Sequence, residues 1–279
     1  MTIKVVTDST CDLPPALAQQ HGITVIPAYV NIGDQSFLDG VDLSREAFYT
    51  NLPTYRTPPT TAAPASGAFA QAYEAVTAAG AHEILSIHVA GNLSGMLNAA
   101  RLGSESATSA PVTLFDSGQL SMGLGWLAVI AAKAAQAGCT LAEVLEILRQ
   151  AQLRTRVAAL LDTLEYLRRS GRVNWAQFGL GALLNIKPIV KMHQGVLEIE
   201  RVRTHRRGWQ RLLELFHETE PLAYLAVVHT NAPAEAQKLC EAVRDAHPAG
   251  IYPPIVEVTP AIGSHIGPGA VGFASVSHN

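Results

Sequence analysis

The sequence has little charge, few aromatic rings and few cysteines. Charged residues make up 15% of its 279 residues, aromatic residues 6%, and three residues are cysteines. The cysteines are far apart and odd in number, which excludes a disulfide framework or a zinc-binding spacing and favours a reducing cytoplasm. A net charge of −3 gives no basis for nucleic-acid binding.

The sequence also lacks a membrane span and a secretory signal. Its longest weakly polar run, Leu120 to Ala132, is too short to cross a bilayer. The first residues do not show the basic-then-apolar pattern of a signal peptide. We therefore expect a cytoplasmic protein without stable membrane insertion. The apolar share of 48% then indicates a wide α/β core or an apolar interior surface.

Strand and helix patterns alternate along residues 1–153. This alternation predicts a parallel sheet covered on both faces. After residue 153 the pattern changes, and two strand-like runs flank Gln194 and Gly195, a hairpin signal. We predict an α/β protein of two domains: an N-terminal parallel-sheet α/β/α domain (1–153) and a C-terminal α/β domain with antiparallel strands (154–279).

Residues with capping chemistry mark several predicted helix starts. Asp12 precedes a proline pair and is expected to cap the helix that follows. Ser44 is expected to cap a short helix, and Thr140 with Glu143 matches a capping box. The spacing of these residues predicts three helix boundaries in the first domain.

Polar, glycine-containing turns follow the predicted strands of the first domain. In an open parallel sheet, ligands bind beyond the carboxyl ends of the strands. One such turn, GNLSG at 91–95, places Ser94 at the start of a helix. The serine hydroxyl and the free N–H groups of a helix start suit an anion, although Ser94 also fits a simple helix cap.

Thr61 and His265 are two further polar candidates. Thr61 lies in a linker rich in proline, threonine and alanine (53–67), where threonine is common without a ligand. His265 stands in GSHIGPGAVG (263–272), whose glycines and Pro268 favour a tight turn that presents the ring to a cleft. The alternative for His265 is a structural histidine.

Eight short motifs follow one another along the chain: DSTCDLP (8–14), TAAPAS (61–66), LSGMLNAA (93–100), FDS (115–117), LEYLRRSGRV (164–173), LLNIKPIV (183–190), VRT (202–204) and GSHIGPGAVG (263–272). Taken in this order, they resemble the DegV family of bacterial fatty-acid-binding proteins. The resemblance covers the whole chain without a large insertion.

The resemblance implies two α/β domains with a long-chain fatty acid enclosed between them as the ligand, and no further cofactor or metal. Positions that match the family motifs assign the fatty acid carboxylate to Thr61, Ser94, Gly95 and His265, with Arg172 as a matching arginine. A buried carboxylate needs donors and a cation, which a protonated His265 or Arg172 would supply.

The chain departs from the family pattern at two of these stretches. Ser170 stands where a glycine is usual, and Ala62 and Ala63 replace the serine and glutamine that usually follow the threonine. Two apolar runs are candidates for lining the acyl chain, LGALLN (180–185) and GLGWLAVIAA (123–132), and each also fits an ordinary core.

The resemblance also implies a partner, a fatty acid kinase that phosphorylates the bound acid, so that the protein presents substrate and does no chemistry alone. We expect a monomer. The basic cluster Arg201, Arg203, Arg206 and Arg207 suits docking on an acidic face of such a kinase, or is only a solvated helix start.

Two other function classes remain open. In a serine hydrolase acting on a lipid or acyl ester, Ser94 would be the nucleophile, His265 the base, and Asp8 or Asp116 the residue orienting the histidine. GNLSG is not the nucleophile elbow of α/β-hydrolases, because its serine adjoins the second glycine. The third class is a regulatory binding protein whose lipid is incidental.

Overall fold

The computed structural model describes residues 2–107, 109–173, 186–246 and 252–278. Its strands are β1 (Ile3–Asp8), β2 (Thr24–Ile26), β3 (Tyr29–Ile32), β4 (Gln35–Leu38), β5 (Thr60–Ala62), β6 (Glu83–His88), β7 (Val112–Asp116), β8 (Thr155–Leu160), β9 (Lys187–His193), β10 (Val196–Val202), β11 (Leu222–His229), β12 (Ile255–Glu257) and β13 (Val271–Ser277). Its helices are α1 (Pro15–His21), α2 (Arg45–Asn51), α3 (Ser66–Ala78), α4 (Met96–Ser106), α5 (Ser121–Gln136), α6 (Leu141–Arg154), α7 (Glu165–Ser170), α8 (His205–His217), α9 (Pro233–Val243) and α10 (Pro260–Ile266).

The first domain is built on a parallel sheet of order β2-β1-β6-β7, as predicted. The strands β1 and β6 are buried along nearly their whole length, because helices cover both faces of the sheet. The residues at the carboxyl ends of β1 and β6, Thr10 and Val89, both reach the cavity described below.

The second domain is a separate, mostly antiparallel sheet of order β10-β9-β8-β13-β11-β12, in which β11 and β12 run parallel. The hairpin between β9 and β10 turns at Gln194 and Gly195, whose φ angles of 48° and 79° suit a two-residue turn, so this prediction is confirmed. Helix α6 ends at Arg154 and β8 begins at Thr155. The boundary between residues 153 and 154 falls at this junction and remains a prediction.

Helix α5 connects the two domains. Most of its residues are buried, and it contacts β1 of the first sheet as well as β8 and β13 of the second. Trp126 Nε1 donates to the Ala274 carbonyl at 3.3 Å, which ties the helix to β13. The apolar run at 120–132 is thus a helix between two sheets. Within the described ranges, no helix has the length and apolar character needed to span a bilayer.

A third sheet, of order β4-β3-β5, was not predicted. The run at 23–32 reads as one strand, but it divides at Pro27 and Ala28 into β2 and β3, which belong to different sheets. Thr61 lies on β5, paired with Val30 of β3, and not in an irregular linker. Proline and threonine around β5 obscure this short strand, which exists because β3 offers it an edge.

The capping predictions are confirmed at two positions and wrong at one. Ser44 Oγ accepts from Ala47 N at 3.1 Å, and Thr140 and Glu143 form the capping box. Asp12 does not cap α1: Pro14 is the N-cap, and the Asp12 carboxylate accepts from Ser121 Oγ and Thr259 N instead.

Candidate functional site

A cavity of about 220 Å³ lies between the domains and has a mainly apolar lining. Five residues singled out in the sequence, Thr61, Ser94, Gly95, Arg172 and His265, all line it. The apolar part of the lining includes residues of both domains, among them Val89, Leu93, Val157, Val190, Met192 and Leu197. The fold thus joins polar groups that are far apart in the chain to one apolar space.

The contact between Thr61 and His265 is the central polar feature of the cavity. Thr61 Oγ1 and His265 Nε2 lie 2.8 Å apart and are separated by 204 positions in the chain. Both side chains are half-buried. The hydrogen bond joins β5 of the first domain to α10, the helix that precedes the last strand.

His265 does not lie in a tight turn, as the glycines around it suggest, but in the last turn of α10. Gly267, with a φ of 74°, ends the helix. Gly263 allows close packing, since a Cβ there would lie 2.4 Å from Tyr49 Oη. The glycines therefore terminate and seat a short helix that carries the histidine.

The charge state of His265 differs from one of the sequence-based expectations. Burial, with a smaller effect of the nearby Arg172 charge, lowers the pKa of His265 to about 4. The imidazole is therefore neutral at pH 7 in the ligand-free protein. Arg172 is exposed and, although partial burial lowers its pKa, its guanidinium keeps its charge. Among the described residues that line the cavity, Arg172 is thus the side chain that carries a positive charge.

Ser170, which replaces the usual glycine, contacts Arg172 directly. The Ser170 hydroxyl accepts from Arg172 N at 3.2 Å, and the Ser170 carbonyl accepts from Arg172 Nη1. The turn between them is Gly171, with a φ of 69°. The serine therefore braces the turn that brings Arg172 to the cavity.

Ser94 and Gly95 stand just before α4. Gly95 is the N-cap of the helix, and Ser94 Oγ accepts from Met96 N at 3.3 Å. The Ser94 hydroxyl oxygen accepts this one backbone hydrogen bond, and the hydroxyl proton can still be donated to a ligand. A Cβ on Gly95 would lie 3.9 Å from the Ala63 side chain, so this turn adjoins the divergent segment after Thr61.

A model of the DegV family, described as "Uncharacterised protein, DegV family", matches residues 2–278. The chain belongs to the DegV family. A DegV domain-containing protein of Streptomyces coelicolor is 36% identical over 97% of this chain and 96% of its own. Protein DegV of Bacillus subtilis is 30% identical over 98% of both chains. The family resemblance seen in the sequence is thereby confirmed.

Solved DegV structures agree with the fold and with the type of ligand expected. The structure of DegV from Bacillus subtilis, described as a fatty acid binding protein, has a TM-score of 0.90 at 29% identity and 99% coverage of both chains. A DegV family protein from Thermus thermophilus, described by its fatty acid binding, has a TM-score of 0.86 at 30% identity and full coverage of both chains. DegV relatives of this chain thus bind fatty acids.

The hydrolase arrangement is not formed in this DegV protein. Asp8 accepts from His88, and Asp116 accepts from the backbone N–H groups of Gly91 and Gly118. Neither aspartate reaches His265, whose Nε2 contacts Thr61. In the part of the chain that the structure describes, no hydrogen bond links Ser94 to His265, and no cluster of three or more histidine, cysteine or acidic residues is suited to a metal.

A buried relay next to the cavity was missed from the sequence. His88 Nδ1 lies 2.9 Å from Asp8 Oδ2, His88 Nε2 lies 2.7 Å from Ser86 Oγ, and Tyr73 Oη lies 2.9 Å from the same serine oxygen. Asp8, Ser86 and His88 are 0% exposed, so no substrate reaches the serine. The only signal was the alternation of Ser86 and His88 on one face of a strand.

The relay supports the wall of the cavity. Asp8 Oδ1 accepts from Thr10 N at 3.1 Å, and Asp8 Oδ2 accepts from Val89 N at 3.2 Å. Thr10 and Val89 both line the cavity. Asp8 therefore holds the turns that follow β1 and β6 in place.

The two runs expected to line an acyl chain have different outcomes. Residues 123–132 belong to the buried helix α5 and do not line the cavity, so the ordinary-core alternative holds for this run. Leu120, just before α5, does line the cavity. The run at 180–185 lies outside the described residues. The described apolar lining comes largely from strands and loops because these face the space between the sheets.

Proposed function

We propose that this protein binds a long-chain fatty acid in the cavity, with the carboxylate held by Thr61, Ser94, Gly95, His265 and Arg172. The observation that carries the proposal is the Thr61–His265 hydrogen bond, which brings two polar side chains from opposite parts of the chain onto a mainly apolar cavity. The fatty acid binding of solved DegV relatives supports the same ligand.

The apolar lining suits the acyl chain. Removing a methylene from water contributes about 0.8 kcal/mol, so fourteen methylenes would contribute roughly 11 kcal/mol before the costs of ordering. Strand residues such as Val190 and Met192 provide the apolar surface. The tail thus supplies most of the affinity, and the polar residues supply its orientation.

The polar residues suit a carboxylate. With its proton on Nε2, the neutral His265 donates to Thr61 Oγ1, and Thr61 donates its own proton to the ligand. The Ser94 hydroxyl and the Gly95 N–H add neutral donors, and Arg172 adds the positive charge. Such charge-assisted hydrogen bonds are about twice as strong as neutral ones.

The protein's place in a reaction follows from its exposed head-group site. Gly95 and Arg172 are exposed, so a second protein has access to the carboxylate. The proposal includes a fatty acid kinase that transfers a phosphoryl group from ATP to a carboxylate oxygen and yields an acyl phosphate. The DegV protein, as a monomer, presents the substrate and performs no chemistry itself.

The basic cluster defined above extends this proposal. Arg201, Arg203, Arg206 and Arg207 are all exposed where β10 ends and α8 begins. A group of exposed arginines can steer an acidic partner and raise its association rate. An acidic face of the kinase would therefore dock here.

Native mass spectrometry of the protein purified from a bacterial host tests the binding. The expected result is an added mass that extracts as a long-chain fatty acid and is lost from a Ser94→Ala, His265→Ala double variant. Ser104→Ala, on the outer part of α4, is the matched control. A protein that stays free of ligand when fatty acids are added would refute the proposal.

A second experiment tests the kinase step. The loaded protein is mixed with a bacterial fatty acid kinase and ATP, and acyl phosphate is trapped with hydroxylamine. Formation of the hydroxamate supports substrate presentation. A loaded protein that yields no product with several such kinases would favour a regulatory binding protein.

A further inference from the structure

Helix α10, which carries His265, has no capping side chain of its own. Its N-cap residue, Thr259, makes no capping hydrogen bond with its hydroxyl, and Pro260 at the first position has no N–H. The first turn of a helix leaves backbone donors without partners inside the helix. Other parts of the chain therefore have to satisfy them.

Two carboxylates of the first domain satisfy these donors. Asp39 Oδ1 accepts from Ala261 N at 3.2 Å, and Asp12 Oδ1 accepts from Thr259 N at 2.8 Å. The partners are 222 and 247 positions apart in the chain. Asp12 is 0% exposed and Asp39 is 2% exposed, so water does not compete for these bonds.

The second oxygen of each carboxylate is also held. Ser9 Oγ donates to Asp39 Oδ2 at 2.6 Å, and Ser121 Oγ donates to Asp12 Oδ2. Ser9 follows β1 and Ser121 begins α5, so each aspartate bridges the frame of the first domain to the start of α10. Both oxygens of each carboxylate are thus held, one by the first domain and one by the start of α10.

We propose that Asp39 and Asp12 are positioning residues that hold α10 so that His265 meets Thr61. Ala261 precedes His265 by four residues, which is one helical turn. Between them Gly263 packs against Tyr49, whose hydroxyl donates to the Val258 carbonyl at 3.0 Å. A shift of the first turn therefore moves the imidazole away from its 2.8 Å contact.

The two carboxylates are costly to keep ionised in this interior. Burial raises the pKa of Asp12 to about 6 and also raises the pKa of Asp39, while the Arg45 charge opposes both shifts. Holding a charged carboxylate in this interior at pH 7 lowers the free energy of unfolding. A neutral acceptor oxygen would hold the helix at a smaller electrostatic cost, so the positioning role rests on the acceptor oxygen and not on the negative charge.

This inference rests on the proposed function, and a double-mutant cycle tests it. Displacement of a fluorescent fatty acid by oleate is measured for Asp39→Ala and Asp12→Ala, each alone and combined with His265→Ala. We expect each aspartate change to weaken binding by about tenfold in the wild-type background and by less than about twofold in the His265→Ala background. An equal loss in both backgrounds, or no loss, would overturn the proposal.

Two variants serve as controls. Asp39→Asn keeps an oxygen that accepts from Ala261 N, so its affinity is expected to stay within about threefold of wild type. Asp42→Asn changes an exposed carboxylate of the same loop, which accepts from Leu38 N at 2.9 Å, and is expected to leave affinity unchanged. If Asp39→Ala does not fold by circular dichroism, Asp39→Glu replaces it, because the longer side chain displaces the first turn while keeping the carboxylate.

A ligand-free measurement separates this inference from the proposed function. The ¹⁵N shift of His265 Nε2 is recorded in ligand-free wild type and in the same variants. We expect it to change in Asp39→Ala and Asp12→Ala but not in Asp42→Asn. The same ¹⁵N shift in wild type and in the aspartate variants would overturn the positioning role. If the shift differs between them but the wild type binds no oleate, only the fatty acid site is refuted.

Discussion

Two histidines of this DegV protein, His88 and His265, show how the partner decides the role. His88 is 0% exposed and has both ring nitrogens occupied, one by the Asp8 carboxylate and one by Ser86. His265 is half-buried on the cavity, and its Nε2 contacts a neutral hydroxyl. Both ring nitrogens of His88 have hydrogen-bond partners inside the core, whereas His265 faces a cavity that a ligand can occupy.

The comparison of the two histidines also bears on the serine hydrolase alternative, which was based on residue types. Serine, histidine and aspartate do meet in this protein, but at Ser86, His88 and Asp8, where burial excludes substrate. At the cavity the serine and the histidine act as separate hydrogen-bonding groups. Triads are recognised by geometry, and here the geometry favours binding over hydrolysis.

The largest expected effect is on stability, from His88→Ala. This change removes a fully buried side chain together with one of the donors to the Asp8 carboxylate, so the free energy of unfolding should fall by about 2–5 kcal/mol. His265→Ala should cost less than about 1 kcal/mol, because it removes one hydrogen bond beside a cavity. Urea denaturation of both variants measures the contrast. Equal losses would show that the two histidines do not differ in role.

The pH dependence of stability should show the neutral state of His265. Its pKa in the folded protein, about 4, lies below the ordinary value of 6.5, so the unfolded chain binds more protons between these values. Above about pH 6.5 the imidazole is neutral in both states and carries no penalty. As the pH falls toward 4, protonation of His265 in the unfolded chain alone lowers the stability of the wild type by up to about 3 kcal/mol. Urea denaturation of wild type and His265→Gln between pH 4 and 7.5 measures it. A constant difference between the two would contradict the shift.

Thr61→Val sharpens the comparison at the cavity. The substitution keeps the shape of the side chain but removes the hydroxyl that contacts His265 and that we propose donates to the ligand carboxylate. Fatty acid affinity should fall about tenfold, which corresponds to one hydrogen bond to a charged group. Titration with oleate measures the loss. Thr60→Val, the exposed neighbour on β5, is the control and should bind like wild type.

Arg172→Ala is expected to give the smallest effect. Arg172 is exposed, so solvent and salt screen its attraction for the carboxylate, and affinity should fall only about threefold at physiological salt. The loss should be larger at low ionic strength. Arg169→Ala, in the preceding helix α7 and paired with Glu165, should not change affinity. A salt-independent loss would contradict a role through charge.

The parts of the fold that were predictable depend on neighbours in the chain. The hairpin at Gln194 and Gly195 and the capping box at Thr140 and Glu143 involve residues within four positions of each other. Segment patterns also predicted the parallel sheet. The prediction for Asp12 was wrong because an aspartate before a proline pair does not reveal its own backbone conformation. Here the φ angle of Asp12 is left-handed.

The sequence by itself determined the alternation of strands and helices, the apolar interior and the family motifs, since each is carried by residue type and short spacing. Only the tertiary structure decided that Thr61 meets His265, that α5 is core, and that Asp39 and Asp12 hold α10. These features join residues more than 200 positions apart or depend on which surfaces burial removes from water. Local spacing cannot encode such contacts, because they exist only once the sheets have packed.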